Sequence, residues 1–135
     1  MIEGAAAGVG LGHAFLRHVE RCHLILHLID ATSNDPIADF KMLNRELLNY
    51  GSGQLGLMPQ VVAVNKIDAL EGRGEDWEAG LKAKMTREEL EEKLREVMSH
   101  SRLLWISAKE KQGVDELMTR LAAFVKKVKH VSTNS

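Results

Sequence analysis

Gln60–Asp68 reads Q-V-V-A-V-N-K-I-D. Its apolar residues run through Val64 without alternating with polar ones, so the segment is apolar on both faces as a strand. Strands of that kind belong inside parallel sheets, because helices cover such a sheet on both sides. The segment then ends abruptly in Asn65, Lys66 and Asp68. In open α/β sheets ligands gather outside the carboxyl ends of the strands. One stretch therefore predicts both a buried parallel sheet and a place to look for its ligand.

Working outward, two more segments share this character. His23–Asp30 (H-L-I-L-H-L-I-D) is apolar through Leu28 and Ile29 and ends at a carboxylate, and Arg102–Ser107 (R-L-L-W-I-S) ends at a serine. Helical patterns lie between them. Leu11, Phe15, Leu16 and Val19 recur at helical spacing and predict a short helix over His13–Arg21. Asp35 as cap and Pro36 in the first turn start another helix, since proline lacks only an N–H that would be orphaned there. Ile37, Phe40, Leu43 and Leu47 form its apolar stripe, and it stops near Tyr50-Gly51. Ser52–Pro59 reads as loop and Glu71–Met85 as a polar, glycine-bearing surface excursion. Thr86 and Glu89 fit a capping box. Leu90, Leu94, Val97 and Met98 follow as that helix's buried stripe. The last helix is predicted over Gly113–Lys129, with acidic residues in its first turn and lysines in its last, as the macrodipole favours.

Strands alternating with helices predict an α/β fold. The expected sheet pairs His23–Asp30, Gln60–Asn65 and Leu103–Ser107 in parallel and in sequential order, with 60–65 in the centre. Three blocks are expected: residues 1–22, residues 23–130, and a disordered tail over 131–135.

Composition narrows the class. The chain has 135 residues, 18 Lys+Arg against 19 Asp+Glu, and a formal charge of −1. That balance argues against binding nucleic acid through bulk charge, so no DNA partner is expected. Cys22 is the single cysteine, which rules out an internal disulfide and suits a reducing compartment. The longest apolar run, Leu24–Ile29, falls far short of the ~20 residues of a membrane span. Met1–Gly12 has no basic or apolar signal regions, so no secretion signal is expected.

The strand ends carry side chains that suit guanine. A carboxylate at Asp68 accepts from both the N1–H and the exocyclic amino group of that base. Adenine offers no such pair, and a site built on polar pairing rejects a base that leaves it unpaired. Asn65 can tie loops together and meet the far edge of the base. The aliphatic stem of Lys66 can lie on the base plane. From the third strand, Ala108 can offer its N–H to the guanine carbonyl, and Ser107 can hold the Asp68 carboxylate. Lys109 completes the S-A-K triplet. The bland alternative is a solvated loop after each strand. What favours the base is position, since N-K-I-D and S-A-K end successive predicted strands.

N-K-I-D followed by S-A-K is similar to the G4 and G5 motifs of P-loop GTPases of the translation-factor class. The opening is more specific. I-E-G-A-A-A-G-V-G-L-G-H-A-F-L-R-H-V-E-R resembles the switch II segment and next helix of the Obg family. Ile2, Glu3, Gly4 and Ala5 match the family's I-E-G-A, and Gly10, Leu11, Gly12, Phe15, Leu16, Arg17, His18, Glu20 and Arg21 match onward. The resemblance covers about residues 2–130. It implies a partial P-loop GTPase (Ras-like) domain that binds GTP or GDP, with Mg²⁺ in the intact family protein, slow GTP hydrolysis and association with the ribosomal subunit in its assembly. It implies an intracellular site of action, in cytoplasm or in the stroma of a chloroplast or mitochondrion. Asn65, Lys66, Asp68, Ser107, Ala108 and Lys109 take the base-binding role.

The departure matters as much. The family's P-loop, its switch I threonine and its D-x-P-G aspartate would all lie before residue 1. Gly8–Gly12 is glycine-rich, but no Lys-Ser/Thr follows it and too few residues precede it for a leading strand. No catalytic residue and no metal ligand is therefore assigned, and the chain alone is expected not to hydrolyse GTP. The rival expectation is a non-catalytic α/β interaction module, a pseudo-GTPase that binds a ribosomal or protein partner. An unrelated flavodoxin-like binding domain is a more remote one. His13, His18, His23 and His27 cluster early, but His23 and His27 are too far apart on a strand to share one ion. The basic end around Lys126, Lys127 and Lys129 is explained by helix-end charge compensation, with RNA contact the sharper alternative.

Overall fold

The computed structural model describes residues 24–134. The expected His13–Arg21 helix, the Ile2–Ala5 segment, Cys22 and His23 lie outside these residues. The expected sheet is present. Its strands are β1 (Ile25–Asp30), β2 (Gln60–Asn65) and β3 (Leu103–Trp105), in the order β1-β2-β3. Both pairings are parallel, with Ile25 opposite Gln60, Asp30 opposite Asn65, and Val64 opposite Trp105. The central strand is buried along Gln60–Val64, which is why it could carry an unbroken apolar run. Among the described residues, nothing pairs with the outer edge of β1.

Two boundaries differ from expectation. β3 stops at Trp105 instead of reaching Ser107. Ile106 N still donates to Val64 O at 2.8 Å, but Ser107 then pairs antiparallel with Gln112. The chain can fold back so tightly because Gly113 has φ +73, and a Cβ there would stand 2.7 Å from Trp105 O. Leu24, expected within the first strand, lies just before it, where Ile25 N meets Pro59 O at 2.9 Å.

The helices follow their sequence signals. α1 (Pro36–Asn49) begins at Asp35, whose carboxylate accepts from Ala38 N at 3.0 Å. Its Phe40, Leu43 and Leu47 are buried. Within the segment expected to be loop lies a short helix, α2 (Gln54–Leu57), entered through Gly53 at φ +83. Four residues are too few to show a period, so only burial of Leu55 betrays it. One turn, α3 (Ile67–Leu70), follows β2 directly, and a second, α4 (Gly74–Glu78), lies within the surface excursion. α5 (Arg87–Val97) is capped by Thr86, whose hydroxyl accepts from Glu89 N at 3.2 Å. α6 (Val114–Asn134) runs on through 131–134, a stretch expected to be a tail.

These helices cover the sheet on both faces. On one face, Ile29, Val62, Val64 and Leu103 pack with Phe40 of α1 and with Leu90 and Leu94 of α5. On the other, Val61, Ala63 and Ile106 pack with Leu117 of α6, flanked by half-buried Leu121 and Phe124. Both layers run helix on sheet, as parallel strands require. The strand ends are thereby left as the open edge of the structure.

Candidate functional site

β2 and β3 are neighbours, so the loops that follow them emerge side by side. Asn65 closes β2, and its Oδ1 accepts from Ala108 N at 2.9 Å. Ile67 N donates to Ile106 O at 3.1 Å a little further along. The two motifs are thus stitched together by one side-chain bond and one backbone bond. Asn65 ties the loops as its position suggested.

That bond has a consequence for Ala108. Its N–H, expected to meet a guanine carbonyl, is already donated to Asn65. A base carbonyl would have to share it or displace Asn65. Ser107 departs further from expectation. It is buried, and its hydroxyl accepts from Glu110 N at 3.3 Å. It bonds within its own turn and does not hold Asp68, because the antiparallel Ser107–Gln112 pairing turns it into that loop. Lys109 is exposed in the same turn.

Lys66 starts α3 with φ 70, a left-handed conformation costing about 1 kcal/mol for a residue with a Cβ. Its ammonium reaches back across the strand ends to Asp30 Oδ2 at 3.0 Å. Asp30 is a functional candidate that sequence reasoning marked only as a strand end. Its other oxygen accepts from Thr32 N at 2.8 Å and from Thr32 Oγ1 at 2.6 Å. Partial burial pushes the Asp30 carboxyl up, but the two Thr32 bonds and Lys66 outweigh it and hold its pKa below the usual value. Asp30 is thus a stable anion beside the open edge. The signal for it was a carboxylate ending an otherwise apolar strand.

Asp68 is only 2% exposed. Its carboxylate lies against Gly74, where an added Cβ would stand 2.3 Å from Oδ2. The first turn of α4 therefore lies over the group expected to read the base. Arg73, just before it, pairs with Glu71 at 3.1 Å and also with Glu110 and Gln112 of the loop after β3. The six expected residues do share one edge of the sheet. Ala108 and Lys109 are exposed there and Asn65 and Lys66 half-buried, whereas Asp68 and Ser107 are buried.

The Asn65 amide, the Lys66 stem and the Ala108 backbone lie at this one edge, with the Asp68 carboxylate buried one turn behind. Among the described residues no three His, Cys, Asp or Glu groups converge to hold a metal ion. Among them too, no helix is long and apolar enough to cross a membrane.

Comparison with known proteins bears on which family built this edge. No family model matches the chain. The chain is 46% identical to the GTPase Obg of Synechocystis sp. over 118 residues, 87% of this chain and 28% of that protein. It is 45% identical to the GTPase Obg of Crocosphaera subtropica over 118 residues, 87% of this chain and 30% of that protein. The matched residues are an Obg-family GTPase segment. Likeness is not confined to cyanobacteria. The GTPase Obg of Lachnoclostridium phytofermentans is 41% identical over 133 residues, 95% of this chain and 28% of that protein. The chain thus spans less than a third of the length of these Obg relatives. Its three-stranded parallel sheet with flanking helices agrees with part of an Obg P-loop GTPase domain.

Proposed function

We propose that this chain carries the base-recognition half of an Obg-type GTP/GDP site. The observation that supports it most is the Asn65 Oδ1–Ala108 N bond at 2.9 Å, which joins N-K-I-D to S-A-K at one sheet edge. In this reading Asn65 and Ala108 frame the base, Lys66 lies along its face, and Asp68 reads its N1–H and amino group. Asp68 takes that part when the α4 turn shifts off it. The switch II match at Ile2, Glu3, Gly4 and Ala5 belongs to the same proposal, as does Mg²⁺ in the intact family protein. Association with a ribosomal subunit rests on the family resemblance and is tested by co-sedimentation with subunits.

Phosphate recognition is the part the residues do not supply. In P-loop proteins backbone N–H groups, a lysine and Mg²⁺ hold the phosphates. No G-x-x-x-x-G-K-[ST] occurs in these 135 residues. Base contacts alone are worth a few kcal/mol, and a Kd of 1 mM already needs about 4 kcal/mol. GTP, GDP and guanosine should therefore bind alike, at roughly millimolar Kd or weaker, with or without Mg²⁺. Phosphate release should equal a buffer blank. Calorimetry across the three ligands checks this, and micromolar Mg²⁺-dependent binding would reveal a phosphate site within the chain. Asp68→Asn should abolish the preference for guanosine over adenosine. An unchanged preference would remove Asp68 from the site.

The second reading, a non-catalytic interaction module, draws on the burial of Asp68 and the engaged Ala108 N–H. Guanine-independent partner binding would favour it.

A further inference from the structure

At the other end of the sheet, beside the amino ends of β2 and β3, the described residues enclose a pocket of about 290 Å³. Its floor is Val61, Leu103 and Leu104, and Phe124 of α6 forms its wall. The rim is cationic: Arg102, Arg120 and Lys127 stand around the opening. Arg120 already pairs with Glu116 at 2.8 Å. Arg102 is placed differently. Its guanidinium carbon lies 4.6 Å from the centre of the Phe124 ring, and its Nε donates to Gln60 O at 2.8 Å. The head is thereby fixed at the lip of the pocket on an aromatic surface. No carboxylate among the described residues is within ion-pair distance of Arg102 or Lys127. Two cations beside an apolar hollow, one of them held rigid and half-buried, complement an anion attached to an apolar group.

We propose that this face docks an acidic segment of a protein partner, which seats an aromatic or branched apolar side chain between Phe124 and Leu104 and sets its carboxylates on Arg102 and Lys127. The pocket lies at the small end of ligand cavities, so it takes one or two side chains and not a folded surface. A planar guanidinium pairs with a carboxylate bidentately, and its fixed position lowers the cost of ordering it. Single-stranded RNA fits less well. Such surfaces stack successive bases on several aromatic rings, and Phe124 is the one ring among the residues lining this pocket.

The test is a titration of the full 135-residue chain followed by amide NMR. The probe is a capped hexapeptide, with Phe-Leu flanked on each side by two acidic residues. Shifts should cluster on Leu104, Ala123, Phe124 and Lys127. A control peptide with amides in place of the carboxylates should bind about tenfold more weakly, as should the probe to Lys127→Glu, an exposed position whose reversal leaves the core intact. Five results would each overturn the proposal. They are no clustered shifts at millimolar peptide, equal binding of the amide control, and equal binding by Lys127→Glu. The fourth is a ten-nucleotide uridine RNA moving the same amides at lower concentration. The fifth is occupation of the pocket without peptide, by a second copy of the chain or by its own residues 1–23, seen as contacts to Phe124.

Discussion

Gly74 and Asp68 show how much a single residue constrains the site. Gly74 sits at φ +90, and its missing side chain leaves the space that the Asp68 carboxylate fills. Gly74→Ala would put a Cβ 2.3 Å from Asp68 Oδ2 and force a backbone conformation that alanine avoids. Two penalties act together, so urea unfolding should show a loss of about 2–3 kcal/mol. A change under about 0.5 kcal/mol, the range of ordinary surface substitutions, would mean that α4 does not rest on Asp68. His27 makes a second residue-scale prediction. It is buried and stacks on Phe40 at 4.9 Å, and its Nδ1 donates to Gln60 Oε1 at 3.3 Å while Gln60 Nε2 donates to Asn44 Oδ1 at 2.7 Å. Burial lowers its pKa from 6.5 to about 4, against the opposing pull of the Gln60 bond. The unfolded chain therefore takes up a proton below pH 6.5 that the folded chain refuses until about pH 4. Stability should fall as pH drops through that window and level off beneath it, by about 3 kcal/mol from this group. His27→Gln should flatten the slope between pH 6.5 and 4 in denaturant titrations at stepped pH. A slope unchanged by the substitution would assign it to other groups.

At the scale of elements, the sequence announced those whose physics is local or periodic. Asp35-Pro36 and Thr86 fix helix starts because a cap needs only one side chain and its own turn. Asp35→Ala should therefore cost about 1 kcal/mol in thermal or urea unfolding, and a neutral result would show that the cap bond contributes nothing. β2 was legible because burial on both faces leaves no room for polar residues. The short turns were not. α2, α3 and α4 span four or five residues each, less than the repeat by which a helix is recognised. The site divides the same way. That Asn65 would tie loops together followed from its place at a strand end, but that it would do so by taking the Ala108 N–H, expected to meet the base, did not. That Ser107 would bond within its own turn did not, because the fold-back to Gln112 depends on Gly113 packing on Trp105 O, a contact between non-repeating positions. Nor did the Lys66–Asp30 pair, which exists because parallel register sets Asp30 opposite Asn65. The burial of Asp68 depends on the return of the excursion through Gly74, and polar composition alone placed that excursion only on the surface.

Over the whole molecule, one sheet separates two surfaces with different chemistry. The carboxyl ends of the strands present the amide, ammonium and backbone groups proposed to receive guanine. The amino ends present an apolar hollow with a cationic rim. Such division follows from parallel topology, which turns every strand the same way. It also leaves β1 as an edge strand with no partner among the described residues, and unpaired edges promote association between chains. The central claim concerns the carboxyl ends, and one amide NMR titration with GMP and AMP tests it most directly. The account predicts that GMP at millimolar concentration shifts Asn65, Lys66, Ala108 and Gly74, the last because α4 must move off Asp68, while AMP leaves them in place. Equal shifts from AMP, or no shift at these residues from either nucleotide, would contradict it.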